Sequence, residues 1–93
     1  MKRALLRSTS FVRAARKFVA RNPPAATEIE EALRLLSVDA FDPRLKTHKL
    51  KGSLKGSWAC AAAYDCRIVF SFVQHERKEA ILLETIGTHD EVY

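Results

Sequence analysis

The segment RIVFSFV at positions 67–73 has an alternating pattern that fixes much of what this chain can become. Its aromatic residues and Ile68 fall on one face of an extended chain, and Arg67 falls on the other. This period of two is typical of a β-strand that buries one face. An apolar run at 58–64 comes before it, and a short turn that contains Asp65 separates the two. The pattern therefore predicts an antiparallel hairpin with an acid and an arginine at its bend.

The N-terminal part predicts a strand and two helices. Residues 3–7 are apolar at their centre and are compatible with a short strand. Ser8 can cap the apolar periodic run that follows it. That helix ends at Asn22, because Pro23 disfavours the α conformation in the residue before it. A second helix begins at Pro24, and the short link predicts an antiparallel helical hairpin. The apolar stripes are Phe11, Ala14, Ala15, Phe18 and Val19, then Ile29, Ala32, Leu33 and Leu36.

The C-terminal half predicts strands. A loop is expected at 37–47, then strands at 58–64, 67–73 and 79–86, the last two joined by a charged turn at 74–78. The order strand, helix, helix and three strands predicts a single α+β domain, 1–93. Its two-helix hairpin packs on one face of a small, mainly antiparallel sheet. The opposite face is expected to stay open for a partner.

The charge is positive and unevenly placed. The 93 residues carry a formal net charge of +5, and no acid occurs before Glu28. Such an excess attracts polyanions, nucleic acid first and acidic proteins second, although a solvated surface without a partner has the same composition. The arginine-rich start resembles a transit peptide. We assign it to the fold instead, because its removal leaves too little chain for a core. The acidic second helix is expected to pair with the basic first one.

The two cysteines, Cys60 and Cys66, both lie in the apolar hairpin. Their spacing matches no zinc pattern, and two thiols do not make a disulfide framework. We expect buried, reduced thiols in a cytoplasmic protein. No apolar run is long enough to span a membrane.

A set of polar residues suits cleavage of RNA without a metal or other cofactor. Each is weak evidence alone: a solvated histidine, or an arginine paired with the nearby acid, is the simpler reading. Together they offer two imidazoles, a carboxylate, a fixed cation and an aromatic ring. The attacking 2′-hydroxyl must lose a proton, the phosphate needs a cation, and the leaving oxygen needs a proton. No cluster of acids is available for a two-metal site. The set is His48, Asp65, Arg67, His89 and Tyr93.

Three motifs in the C-terminal half resemble the RelE/ParE superfamily of bacterial type II toxins, and most closely its YafQ-like mRNA interferases. The first is His48 followed by LKGSLKG at 50–56, the second is YDCRIVF at 64–70, and the third is Gly87-Thr88-His89. The closing segment DEVY resembles the family's ending with an aromatic residue. In the N-terminal half only the strand–helix–helix order agrees. The resemblance implies a toxin that cuts mRNA on the 70S ribosome, with a small acidic antitoxin as its partner.

The resemblance also implies roles for individual residues. His48, Asp65 and His89 correspond to catalytic positions, Arg67 to the arginine on the scissile phosphate, and Tyr93 to the aromatic residue that orients substrate. Which residue is base and which is acid stays open. The pattern departs at Ala61 and Cys66, where YafQ-like toxins carry histidine and tryptophan, so Arg67 is expected to contribute more. The lysines expected to bind the RNA backbone are Lys49, Lys51 and Lys55.

Two other functions use the same scaffold. A ParE-like toxin binds a topoisomerase and performs no chemistry of its own. The presence of His48, Asp65 and His89 argues against it, because a pure binder does not need them. A nucleic-acid-binding module with incidental histidines is the second, and it predicts salt-dependent binding without cleavage.

Overall fold

The chain forms five strands and three α-helices in the computed structural model, which describes residues 2–93. Met1, the first residue of the predicted domain, lies outside the described residues. Two single-turn 3-10 helices cover Pro43–Leu45 and Gly52–Leu54. The other elements are β1 (Leu5–Arg7), α1 (Thr9–Arg21), α2 (Ala25–Val38), β2 (His48–Lys49), β3 (Trp58–Ala61), β4 (Arg67–His75), β5 (Lys78–Gly87) and α3 (His89–Val92).

The five strands form one sheet in the order β1-β5-β4-β3-β2. The β2–β3, β3–β4 and β4–β5 pairs are antiparallel, whereas β1 runs parallel to β5 with Leu5 opposite Ile81. Two helices pack against this mainly antiparallel sheet, which confirms the predicted α+β architecture. The arginine-rich start belongs to the fold, as expected, since Phe11 and Phe18 of α1 are buried in the core.

The first helix begins and ends where the sequence predicts. The Ser8 side chain accepts a hydrogen bond from the backbone N–H of Phe11 at 3.0 Å. At the other end the backbone N–H of Asn22 donates to the carbonyl of Phe18 at 2.9 Å. The start of α2 differs slightly from the prediction, because Pro24 occupies the N-cap position and the helix begins at Ala25.

A β-bulge in β5 lets apolar side chains on both sides of the bulge point into the core. Val69 pairs with Thr85 and Phe70 with Leu83, which leaves Glu84 as the extra residue. An extra residue reverses the alternation of the side chains beyond it. For that reason Leu83 and Ile86 both point into the core below the helices, although they lie three positions apart.

The strand predicted at 58–64 is shorter than expected. β3 ends at Ala61, and a turn closes when the backbone N–H of Cys66 donates to the carbonyl of Ala63 at 3.0 Å. Asp65 has φ of 46°, in the left-handed region that aspartate tolerates better than most residues. Tyr64, which we placed in the strand, is 95% exposed. The hairpin bend is therefore wider than the sequence pattern suggests.

The charged turn between β4 and β5, predicted at 74–78, is shorter in the structure than expected. Only Glu76 and Arg77 form it, with φ of 51° and 65°. Two positive φ values in a two-residue loop match the twist of the flanking strands, so β4 and β5 continue to the turn.

The sheet face opposite the main core is partly covered, contrary to the open face we expected. Leu50, Ala59 and Val69 form a second buried cluster there, against which Leu54 and Val92 pack. Leu50 and Leu54 belong to the segment that follows the edge strand β2, and Val92 belongs to α3. We predicted neither element, because a two-residue strand and a single helical turn are too short to produce a periodic pattern.

The expected ion pairing between the first two helices is not found among residues 2–93. Glu31 of α2 pairs with Arg34 of the same helix. Arg21 of α1 instead approaches Glu91, at 3.8 Å. The cysteine prediction is confirmed: Cys60 and Cys66 are unpaired and fully buried, and burial raises the pKa of Cys60 to about 12. In the described part of the chain no helix is long and apolar enough to cross a membrane.

Candidate active site

An open cavity of about 440 Å³ lies where β2, the start of β4 and α3 meet. It gathers most of the residues that the sequence singled out, from three separated parts of the chain. Asp65 and Lys55 are not among its lining residues. The lining consists of His48, Lys49, Leu50, Lys51, Arg67, His89 and Tyr93.

His48 is held by hydrogen bonds at both ring nitrogens. Its Nδ1 lies 3.0 Å from the carbonyl oxygen of Lys46, and its Nε2 lies 2.9 Å from the hydroxyl of Tyr93. A carbonyl oxygen can only accept, so Nδ1 carries the proton of the first bond. In the neutral ring Nε2 then accepts from Tyr93. Lys46 has φ of 52°, and this left-handed conformation turns its carbonyl towards the ring.

Tyr93 lies between the two histidines. Its ring centroid is 4.6 Å from that of His89 and 6.1 Å from that of His48. Partial burial raises the pKa of its phenol, although the positive charge of Arg67 acts in the opposite direction. Tyr93 therefore stays protonated and can donate to His48 throughout the neutral range.

The short helix α3 positions both His89 and Tyr93. Thr88 and Glu91 form a capping box: the Thr88 side chain accepts from the Glu91 N–H, and Glu91 Oε1 accepts from the Thr88 N–H at 2.9 Å. The Thr88 N–H bond and the nearby Arg21 lower the pKa of Glu91. Glu91 was absent from our predicted site, although the sequence carries the signal, since threonine followed three residues later by glutamate is a capping pattern.

Asp65 supports α3 from outside the cavity. Its Oδ1 accepts a hydrogen bond from the backbone N–H of His89 at 3.1 Å. The carboxylate thus joins the β3–β4 turn to the first residue of α3, and it does not line the cavity. Sequence spacing gives no hint of this contact, which spans 24 positions.

Arg67 enters the cavity from the first position of β4. It pairs with Ala61 of β3 and with Gly87 of β5, so it lies inside the sheet. Its Nη1 donates to the carbonyl of Cys66 at 3.2 Å. The ion pair with Asp65 that we considered does not form in the structure. The guanidinium is thus available to an anion in the cavity, which Arg67 lines.

These groups can support proton transfer next to a fixed positive charge. Two imidazoles, a guanidinium, a phenol and two lysines border one open surface, which matches a phosphodiester better than an apolar ligand. Among residues 2–93, no three His, Cys, Asp or Glu side chains are grouped so that they could hold a metal ion.

Comparison with known proteins gives matches in structure. No protein-family model and no curated protein sequence matches the chain. A crystal structure of YafQ from E. coli strain BL21(DE3) superposes with a TM-score of 0.78 at 17% identity, over 99% of both chains. A copper-bound mutant toxin from Helicobacter pylori has a TM-score of 0.72 at 25% identity, over 100% of both chains.

A third match is a toxin–antitoxin complex, the E. coli DinJ–YafQ pair. Its TM-score is 0.76 at 18% identity, over 100% of this chain and 99% of the matched one. The three matches cover 99–100% of this chain, so the likeness in fold extends over the segments that form the cavity. This chain therefore has the fold of YafQ.

Proposed function

We propose that this protein is the toxin of a type II toxin–antitoxin system, and that it is an endoribonuclease which cuts mRNA on the ribosome without a metal ion. The observation that carries the proposal is the convergence of His48, Arg67, His89 and Tyr93 on one open cavity. The likeness in fold to YafQ, alone and in complex with DinJ, supports the toxin assignment and an antitoxin partner.

The proposed reaction is attack of a ribose 2′-hydroxyl on the adjacent phosphate. One imidazole, of His48 or His89, removes the proton from the 2′-oxygen as it bonds to phosphorus. The bond from phosphorus to the 5′-oxygen breaks, and the other imidazole gives that oxygen a proton. The guanidinium of Arg67 stabilises the extra negative charge on the phosphoryl oxygens. The products are a 2′,3′-cyclic phosphate and a free 5′-hydroxyl.

In this scheme Tyr93 and the lysines bind the RNA and take no part in proton transfer. Tyr93 stacks against or orients a base beside the scissile bond. Lys49 and Lys51, on the cavity rim, hold the flanking phosphates, and Lys55 extends this positive strip beyond the rim. We assign Asp65 to the placement of His89 in preference to proton transfer, because its carboxylate is already bonded to the His89 backbone.

The test is cleavage of mRNA in a ribosome-programmed reaction, read as new 5′ ends. We expect His89→Ala and Arg67→Ala to lose about 100-fold or more in rate, as removal of a general acid–base or an oxyanion donor does. His75→Ala is the matched control, since His75 is an exposed histidine at the far end of β4. Full cleavage by His89→Ala would remove the proposed chemistry. Growth arrest by the wild type without new 5′ ends would favour topoisomerase binding.

A further inference from the structure

Three aromatic side chains from separate elements meet where β3 begins. The ring centroid of Trp58 lies 5.3 Å from that of Phe41 and 5.6 Å from that of Phe72. The rings of Phe41 and Phe72 stack with their centroids 5.9 Å apart. Phe41 comes from the loop after α2, and Phe72 comes from β4. We call these three residues the aromatic platform.

The platform is only partly covered by the protein. Phe41 is 52% exposed, and Trp58 and Phe72 are each partly exposed. A single exposed aromatic residue is common on protein surfaces and needs no explanation. Three rings in contact with each other are different, because together they offer the solvent a flat apolar surface. Such a surface suits a ligand that is itself planar.

Two cations lie over the rings of the platform. The Nζ atom of Lys49 is 5.4 Å from the ring centroid of Trp58, and the guanidinium carbon of Arg3 is 5.3 Å from that of Phe72. Arg3 also pairs with Glu79 at 2.7 Å, so its charge is already balanced. Among residues 2–93, Lys49 makes no ion pair. Its ammonium group can therefore leave the ring for an anion.

Lys49 connects the platform to the candidate active site. It lines the cavity together with its neighbour His48, and it pairs with Trp58 across β2 and β3. β2 is the edge strand of the sheet. To pass from the cavity to the rings, a bound chain has to cross only this one strand, which is about 5 Å wide.

These features suit the base of a nucleotide. A base stacks on an aromatic face, while its phosphate binds a neighbouring ammonium group. Stacking of a base on a tryptophan ring contributes more than an exposed cation–π contact does. Lys49 can therefore exchange the Trp58 ring for a phosphate, and the base can take its place on the ring. The continuity with the cavity favours RNA over a protein partner, because a strand bound beside Arg67 has to leave past the border of the cavity.

We infer that the aromatic platform binds one unpaired base of the RNA strand that occupies the cavity, and that Lys49 holds the phosphate between the two sites. The inference rests on the proposed function, which makes this strand the substrate. It assigns Phe41 and Trp58 to substrate binding, although no motif in the sequence marks them. Every base has a π-face, so the platform adds affinity and does not read sequence.

Trp58 is the single tryptophan of the chain, so its fluorescence reports on the platform. The probe is a 2′-O-methyl RNA of about six nucleotides, which cannot be cut because it has no free 2′-hydroxyl. We expect this probe to quench the fluorescence of Trp58 in the wild-type protein. An abasic nucleotide, placed at each position in turn, should abolish the quenching at one position. Quenching that persists with every abasic probe would overturn the inference.

Variants test the same site through affinity, measured by the fluorescence anisotropy of a labelled probe. Phe41→Leu and Trp58→Leu each remove a ring and keep apolar bulk. Tyr64→Leu is the matched control, because Tyr64 is 95% exposed and lies outside the platform. Thermal unfolding by circular dichroism verifies that the variants fold. Phe41→Leu keeps the test decisive if Trp58→Leu does not fold, since Phe41 is the more exposed of the two rings.

We expect the two platform variants to bind the intact probe about tenfold more weakly, because a stacked base is lost. Tyr64→Leu should stay within about twofold of the wild type. With the abasic probe that abolished quenching, the platform variants should bind as the wild type does. Equal losses in all three variants, or the same tenfold loss with that abasic probe, would overturn the inference.

A protein on the platform would give a different result. If Phe41→Leu reduced self-association in sedimentation experiments and left RNA affinity unchanged, the platform would be an interface between copies of this chain, and the inference would be wrong. Cleavage of mRNA on ribosomes separates the inference from the proposed function. Base-dependent quenching by a wild-type protein that cuts no mRNA supports the inference and contradicts the enzyme. Cleavage by a protein whose Trp58 fluorescence is indifferent to RNA does the reverse.

Discussion

The carboxylate of Asp65 accepts a hydrogen bond from the backbone N–H of His89 at 3.1 Å. This bond joins the β3–β4 turn to α3, the helix that carries His89. The sequence alone had placed Asp65 among the catalytic groups. In the structure its carboxylate stands behind the cavity and holds α3 in place. A helix of one turn is not stable by itself, so it depends on such contacts.

The first prediction separates positioning from proton transfer at Asp65. Asp65→Asn keeps an oxygen that can accept the His89 N–H, so we expect cleavage within about threefold of wild type. Asp65→Ala removes the acceptor of the His89 N–H. The loss of such a capping hydrogen bond costs about 1 kcal/mol, which corresponds to a cleavage rate roughly fivefold lower or more. Steady-state rates on ribosome-bound mRNA give the comparison. If Asp65→Asn falls about 100-fold, as a lost acid or base does, the residue transfers a proton.

The second prediction concerns the hydroxyl of Tyr93. Tyr93→Phe keeps the ring beside His89 but leaves Nε2 of His48 without its donor, so we expect a rate about tenfold lower. The raised pKa of Tyr93 also predicts a phenol that ionises above pH 10 in absorbance titrations. That phase should vanish in Tyr93→Phe and persist in Tyr64→Phe, the matched change at the other tyrosine. Persistence of the phase in Tyr93→Phe would contradict the assignment.

The third prediction tests the capping box through Gly87. A Cβ at this position would lie 3.0 Å from Glu91 Oε1 and 3.2 Å from Glu91 Cβ. Gly87→Ala should therefore displace the Glu91 side chain, free the Thr88 N–H and lower both the melting temperature and cleavage. In a Glu91→Ala background the same change should cost less, because the contact with Oε1 is gone and only the 3.2 Å contact with the Cβ at position 91 remains. Additive losses in this double-mutant cycle would show that Gly87 acts in another way.

The fourth prediction is a pH dependence of α3. The folded protein lowers the pKa of Glu91 below its ordinary 4.5, so it favours the carboxylate. This contribution is fully present above the ordinary pKa and disappears as pH falls through the lowered value. We expect the amide NMR signal of Thr88 to shift with a midpoint below pH 4.5. Glu91→Gln should abolish the shift, while Glu30→Gln on α2 should leave it unchanged.

The sequence predicted those elements whose signal is local. The capping residues and the apolar periodicity of α1 all lie within Ser8–Asn22. The alternating pattern of β4 places Arg67 on the opposite face from its aromatic neighbours. Both were found as expected. The α+β class followed from their order.

The parts that were missed depend on contacts between distant positions. The bulge at Glu84 and the early end of β3 arise from pairing with β4, which no single segment reveals. The cavity also required knowledge of which loops meet, and α3 is fixed by Asp65 from another hairpin. Such features come from tertiary packing, which overrides local preference.

The parallel pairing of β1 with β5 has a consequence for the order of synthesis. Leu5 pairs with Ile81, so β1, the first strand to be synthesised, cannot pair until β5 has been synthesised. Contacts at such separation slow folding, and chains grow at about 5–20 residues per second. Until β5 is complete, α1 has no strand to cover and α3 does not exist. The cavity, which is lined by His89 and Tyr93, is therefore incomplete while the chain is still being synthesised.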